Sequence, residues 1–594
     1  MVPVRVSRAE QTASLLAAGA VFVYVVLRAL QVPIVHDEAM TFFLYVDTSR
    51  FLPFLAHWDA ANHLLCTALG WASVQLFGVH LFALRLPSVL AFLLYAFYVH
   101  RWAGRLHEPV VRWCFRAVML GLPFLLDFFS LFRGYGLSMA FWLMALYELS
   151  AVLARPSVRG VAATLLSMAA AAYSGLSLVS LWAMVLAVVA LLAWHRRKWS
   201  FGLVWFFLGL PPFLFAAYYM SRLSALGSLY YGLETGVWGG TVPSLLQVMV
   251  GHGGLVPVVL VALAYGATVL AALQALRLRR RTFSAWVLMA GGAMLLADGV
   301  GRVVLHAWNG TPYAEDRTAL QWAPLFLLLL FFTLDGAAAR TGTVKWAAML
   351  LLALPLRTVA HANLSTTVYW PEQAIPGEVF RAAEEQQRGS PHLLTIGAYH
   401  QMQACWGFGL RQRGVHLNAV DWSAFPDGGQ DLLLTDPARM EPPAGYRTLV
   451  TGRGGRVALS MRGDRPKLDL VLDSLIEMPH GEGEFVEFWH PPMEQVRGHA
   501  FRVELELEAH ADRPPLTGSL VVEVNAGGRP WHRDDALVQC MRNTTGPDSL
   551  VTVRAIPAVP PNADRLVVYY WAWNPNVQGF SGSGRLRVYR VARD

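Results

Sequence analysis

The sequence predicts a many-helix membrane domain followed by a small α/β domain and a C-terminal β-sandwich. Three observations predict it. Long apolar runs crowd the chain before about residue 360, in a sequence of 594 residues that is 55% hydrophobic with mean hydropathy +0.41. Short clusters of Arg and Lys separate those runs. Near the C-terminus, apolar and polar residues alternate with period two between Gly and Pro turns. Such a chain does not fit a single soluble globule.

The opening Met1 to Arg8 carries Arg5 and Arg8 before an apolar run that outlasts a signal-peptide core and lacks a small-residue cleavage site, so it reads as a retained first helix over about 11–33. His36-Asp37-Glu38 follows at once. An acid pair at the water-facing end of a membrane helix is a functional-site hypothesis by default. The stretch 51–79 holds His57, Asp59, Asn62 and His63, is only moderately apolar, and reads as helices lying on the membrane surface. Further spans are expected at about 85–100, 113–130, 136–153, 160–174, 176–194, 200–220, 254–276, 283–305, 318–335 and 343–360, about eleven in all with the first.

The basic residues sort to one side of this path: Arg101 and Arg105, Arg155 and Arg159, Arg196 to Lys198, Arg277 to Arg281, and Arg340 with Lys345. The positive-inside rule then makes the N-terminus cytoplasmic and the tail extracytoplasmic. The net charge of +8, from 48 Lys and Arg against 40 Asp and Glu, reports topology and not a nucleic-acid partner. Three polar constellations fall on the outer side: His36-Asp37-Glu38, Asp127 to Tyr135, and His306 to Arg317.

The membrane domain is assigned to 1–360. From 372 to 490, short apolar runs such as His392-Leu-Leu-Thr-Ile and Asp431-Leu-Leu-Leu-Thr, with a helical Gly377 to Gln387, read as an extracytoplasmic α/β domain. From 497 to 594, the runs at Phe501, Ser519, Leu550, Arg565 and Arg585 alternate as strands of an antiparallel β-sandwich. There Tyr570-Trp571-Ala-Trp573-Asn574 is either sandwich core or a surface for sugar rings. Of the four cysteines, only Cys405 and Cys540 are placed to pair. Asp59 and His63 are one helical turn apart and could ligate a divalent ion, but no metal is assigned. No P-loop, dinucleotide fingerprint or nucleophile elbow occurs in a fitting context, which disfavours a cytosolic nucleotide-sugar enzyme.

An apolar helix, then Asp37-Glu38, then Leu84-Arg-Leu-Pro-Ser-Val-Leu, then an outward helix ending Ser130-Leu-Phe-Arg133-Gly-Tyr135-Gly-Leu, then Glu315-Asp-Arg317 with Pro324: in this order the chain resembles the GT-C superfamily of integral-membrane glycosyltransferases. It is most similar to the branch of protein O-mannosyltransferases and lipid A aminoarabinose transferases. The resemblance implies a GT-C type membrane domain of a bacterial-type inner membrane. It also implies inverting transfer of a sugar from a polyprenyl-phosphate donor to a protein, lipid or glycan acceptor on the outer face. By position, Asp37 matches the leading acid, Glu38 its neighbour, and Arg133 and Arg317 the arginines of the outer loops. Tyr135, Asp127, Glu315 and His63 are further candidates for substrate contact. Where many relatives carry a Lys-Pro-Pro-Leu-like stretch, this chain reads Ala61-Asn-His-Leu-Leu.

Such a transfer needs a base for the acceptor proton and positive charge for the departing phosphate. Adjacent side chains point in different directions, so Asp37 and Glu38 are expected to split their tasks, one on substrate and one orienting structure. Two other classes remain compatible with the sequence: a flippase for polyprenyl-linked glycan, and a non-catalytic glycan-binding assembly subunit.

Overall fold

Apolar runs long enough to cross a bilayer close all their backbone hydrogen bonds within the helix, which sets the form of the first part of the chain. The computed structural model describes residues 7–278, 282–422, 428–464, 466–481, 483–541, 549–572 and 579–592. The chain divides into two compact units, Met1–Leu30 with Trp58–Asn363, and Gln31–His57 with Leu364–Asp594.

In the first unit, 8 described helices are long and apolar enough to span a membrane: Arg8–Gln31, Leu81–Ala103, Gly134–Ala154, Leu176–Arg196, Trp199–Ala225, Leu255–Arg277, Phe283–Asn309 and Gly342–Ala360. Shorter apolar helices run Leu64–Phe77, Val237–Val250 and Trp322–Ala338, and Val158–Ser174 is a further helix. One expected span is broken. In place of a continuous 113–130 helix, Pro109–Leu120 ends before Gly121 and Pro123, and a short Leu125–Phe129 helix follows. Leu122 precedes a proline and is biased away from the helical region. Phe124 sits at φ +67°, which turns the chain. Thr358 Oγ1 then caps the exposed Gly121 carbonyl at 2.7 Å.

The basic clusters gather at one end of these helices. Glu10 accepts from Arg112 at 2.6 and 3.0 Å and from Arg116 at 2.6 Å. Arg101 meets Glu148 at 3.2 Å, Arg105 reaches Tyr147, and Asp335 accepts from the backbone N–H groups of His107 and Glu108. Deeper in the unit, Arg28 and Asp127 pair at 2.6 Å, both buried. Arg28 also donates to the Asn363 carbonyl at 2.6 Å. The phrase Leu84-Arg-Leu-Pro has a structural duty as well, since buried Arg85 donates to the Ala29 carbonyl in the last turn of the first helix.

The second unit takes in residues 31–57, which the sequence places with the membrane domain. Its short His36–Thr41 helix packs on the Met402–Arg413 helix. Phe42 meets Phe408 edge-on at 5.1 Å, and Asp47 faces Arg411 at 3.6 Å. The α/β part holds a mixed sheet in the order β1-β2-β4-β3 (Ile396–Gly397, Leu432–Thr435, Ala458–Arg462, Tyr446–Thr451). Cys405 and Cys540 are buried thiols and form no disulfide.

The sandwich pairs sheet β10-β7-β12-β5 (Ser549–Ile556, Ala500–Ala511, Phe580–Ala592, Lys467–Gly481) with β6-β11-β8-β9 (Phe485–Trp489, Ala563–Ala572, Gly518–Ala526, Arg529–Leu537). It therefore begins at β5, earlier than the alternation near residue 497 suggests. On β7 the alternation places Phe501, Val503, Leu505, Leu507 and Ala509 in the core. On the other face Glu506 meets Arg587 at 2.9 Å. Tyr570 is core; Trp573 and Asn574 lie outside the described residues.

The Arg28–Asp127 pair makes a specific expectation. Asp127→Leu leaves a buried guanidinium without its carboxylate and lowers stability by about 3–5 kcal/mol. The double replacement Arg28→Met/Asp127→Leu recovers most of that loss. Thermal unfolding of the detergent-solubilised protein separates the two; equal midpoints for single and double variants contradict the pairing.

Candidate active site

In the first unit, the polar groups of 57–63, 128–135 and 310–317 meet at the end of the helices opposite the basic clusters. Gly134 begins the Gly134–Ala154 helix at a point where a Cβ would collide with the Ser174 carbonyl and the His63 side chain. Its missing side chain lets three segments close on one another. His63, buried, lies edge-on to Tyr135 at 4.9 Å, and Tyr135 packs on Phe128 at 4.7 Å. Arg133, 3% exposed, donates to the Ala61 carbonyl at 3.5 Å, with its guanidinium 5.9 Å from the Tyr135 ring.

From there a chain of contacts leads to the late loop. Asp59 accepts from the Ala61 N–H at 2.8 Å, and its carbonyl accepts from the Tyr219 hydroxyl at 3.3 Å. Ser228 donates to the Trp58 carbonyl. Leu233 and Tyr313 exchange backbone hydrogen bonds at 2.9 and 2.8 Å, stitching the 228–236 loop to the 310–317 loop. On that seam the Tyr231 hydroxyl donates to Asp316 at 3.0 Å, and the Arg317 guanidinium lies 4.5 Å over the Tyr231 ring.

Asp316 holds φ +34°, outside the usual regions for a non-glycine residue. Its N–H is fixed by Ser244 Oγ at 2.9 Å. Glu315 opens the short turn by exchanging a hydrogen bond with Thr318. Its carboxyl is raised above the ordinary range, by burial first and by the Asp316 charge second, against the lowering effect of Arg317.

Beside this loop lies an apolar groove of about 440 Å³ between the Val237–Val250, Leu255–Arg277, Phe283–Asn309 and Trp322–Ala338 helices and the chain near Leu350. Trp238, Leu245, Tyr265, Val303, Trp322 and Leu354 are among its walls. Ser244, which fixes Asp316, belongs to the helix that forms one side of it.

The leading acids belong to the second unit. Glu38 is fully buried, and its carboxylate accepts from the Val35 N–H at 3.2 Å, fixing the start of its own helix. Asp37 is partly exposed. His36 is held from both sides: its N–H donates to Gln373 at 3.0 Å, and Nδ1 lies 2.9 Å from the Gln401 carbonyl. Burial pushes the nearby Cys405 thiol well above its usual range, and the charges of Glu38, Cys540 and Asp37 push it further.

The structure thus brings His63, Arg133, Tyr135, Glu315 and Arg317 to one end of the helical unit. It gives Asp127, a candidate for substrate contact by sequence, the partner Arg28 on the first helix. Tyr231, Ser244 and the groove were not singled out from sequence. The Gly- and Tyr-rich composition of 221–253 was the available signal for Tyr231. Among the described residues no cluster of three or more His, Cys, Asp or Glu side chains is arranged to hold a metal.

No protein family and no curated protein matches the chain. Solved structures do. ArnT from Cupriavidus metallidurans aligns over 76% of this chain and 98% of its own at 13% identity, with TM-scores of 0.40 in the apo state and 0.41 bound to undecaprenyl phosphate. The arabinosyltransferase EmbB from Mycobacterium smegmatis aligns over 96% of this chain and 64% of its own at 11% identity, TM-score 0.32. The arabinofuranosyltransferase AftD from Mycobacteria aligns over 99% and 62% at 13% identity, TM-score 0.36.

The raised carboxyl of Glu315 fixes a sign. Below the ordinary carboxylate range both folded and unfolded chains hold the proton, so the group has no effect on stability. As pH rises towards the folded value, the unfolded chain ionises first and stability falls. Glu315→Gln removes that loss. Its thermal midpoint should exceed that of the unaltered protein at neutral pH, with the difference vanishing in acid; a constant difference across pH contradicts the assignment.

Proposed function

We propose that this chain is a membrane glycosyltransferase that moves a sugar, with inversion, from a polyprenyl phosphate to an acceptor on the extracytoplasmic face of a bacterial-type inner membrane. The observation that carries this reading is the pair of guanidinium groups, Arg133 and Arg317, set at the same end of the helical unit, with the Arg317 loop tied through Ser244 to a helix that walls an apolar groove. A prenyl chain needs apolar walls, and a phosphate leaving group needs forked donors held ready where charge develops. Positive-inside sorting depletes arginine from that face, so arginines retained there favour a bound anion.

In this reading Arg133, steadied by the Ala61 carbonyl and the Tyr135 ring, and Arg317, steadied on Tyr231, hold the phosphate oxygens. As the glycosidic C–O bond to phosphate breaks, the electron pair stays with the phosphate, and the arginines stabilise it. Asp37 takes the proton from the attacking acceptor hydroxyl or amine, while buried Glu38 fixes the helix that carries it. Tyr135, His63 and Glu315 contact the sugar, and the tail domains shape the path of the acceptor.

The test is loss of donor. The purified chain, given a panel of polyprenyl-phosphate sugars with candidate acceptors, should consume at least one. Asp37→Asn should lower turnover by about 10²–10⁴-fold with folding unchanged. Near-normal turnover by that variant removes Asp37 from the mechanism, and no turnover of any donor by the unaltered chain removes the function.

A further inference from the structure

Asp298 lies along the apolar Phe283–Asn309 helix and is completely buried. Its carboxylate accepts from Ser180 Oγ, from Trp322 Nε1 at 2.6 Å and from Arg302 Nε at 3.0 Å. Three donors satisfy a carboxylate, so Asp298 serves to hold its neighbours in place.

What it holds is Arg302, one turn further along, whose guanidinium sits 5.5 Å from the Trp322 ring centre. Among the described residues Nε is the only Arg302 side-chain nitrogen with a hydrogen-bond partner, and Nη1 and Nη2 have no acceptor there. The side chain is 15% exposed. In so apolar a setting, a guanidinium clamped on one edge and open on the other is held ready for an anion.

The ligand follows from the surroundings. Trp322, against which Arg302 lies, lines the groove of about 440 Å³. So do Leu295 and Gly299, which share Arg302's side of the helix, while Val303 and Val300 line it from further round. The fork therefore lies at the edge of an apolar groove, across Trp322.

We infer that Arg302 is a phosphate-binding fork for the prenyl phosphate whose chain occupies this groove, with Asp298 as the residue that positions it. The inference rests on the functional reading above and adds a contact outside its loops. Because Asp298 balances the Arg302 charge, recognition depends on fixed N–H donors and not on net charge. Lysine, a point charge without a fork, should not substitute.

The experiment measures binding of three probes to the purified full-length chain in detergent: a polyprenyl phosphate, the matching polyprenol, and phosphatidic acid, with inorganic phosphate as competitor. The unaltered chain should prefer polyprenyl phosphate over all others. Arg302→Gln and Arg302→Lys should each weaken polyprenyl phosphate by about tenfold or more and leave polyprenol binding unchanged. Unaltered affinity in Arg302→Gln overturns the inference. So does equal weakening for phosphate and alcohol, which marks a structural role, or equal binding of phosphatidic acid or free phosphate, which marks a general headgroup site. Sugar transfer assayed in parallel keeps the two claims apart. Transfer that survives with Arg302-independent binding removes only this fork. Arg302-dependent binding without transfer by the unaltered chain removes only the enzymatic reading.

Discussion

A charge inside a bundle of apolar helices has to be partnered, and that constraint organises the first unit. Arg28 and Asp127 lie far apart in the chain and meet at 2.6 Å in the buried interior, where an unpartnered charge is costly. Glu10 gathers Arg112 and Arg116, and Asp335 takes the backbone donors of His107 and Glu108. These contacts fix which helix ends lie together. Once the basic clusters are held at one end, alternation of direction brings 57–63, 128–135, 228–236 and 310–317 to the other. The contacts among Tyr219, Asp59, Tyr231 and Asp316 follow from that arrangement.

The adjacent acids illustrate the same physics with a different result. Glu38 is buried and spends its carboxylate on the N–H at the start of its helix; Asp37, the next residue back, keeps partial exposure. A single turn of helix thus gives two carboxylates two environments. His36, bound through Gln373 and Gln401, ties that turn to the tail sequence, so the short segment after the first helix folds with the second unit.

Much of this was legible in the sequence because hydrophobicity and charge sorting act over local windows. The spans expected near 85–100, 136–153 and 254–276 follow from apolar runs between basic clusters, and the strands at Phe501, Ser519 and Arg585 from period-two alternation. The break at 121–124 was marked by Gly121 and Pro123, but the continuous apolar run around them outweighed that signal. β5 lies inside the stretch 372–490 that the sequence assigns to the α/β part, although Leu468, Leu470 and Leu472 alternate with period two. Partner identity was the least legible property. Nothing local in Asp127 names Arg28, and nothing in Asp316 names Tyr231, because such pairs are chosen by the packed fold.

The claim that joins these observations is that the guanidinium-bearing end of the helical unit receives a phosphate whose prenyl chain lies in the adjacent groove. Electron cryomicroscopy of the purified protein with a polyprenyl phosphate tests it most directly. The account predicts phosphate density against the arginine side chains at that end, and chain density between Trp238, Leu245 and Trp322. Lipid phosphate seated at the opposite end, among Arg101, Arg112 and Arg116, with the groove empty, would contradict it.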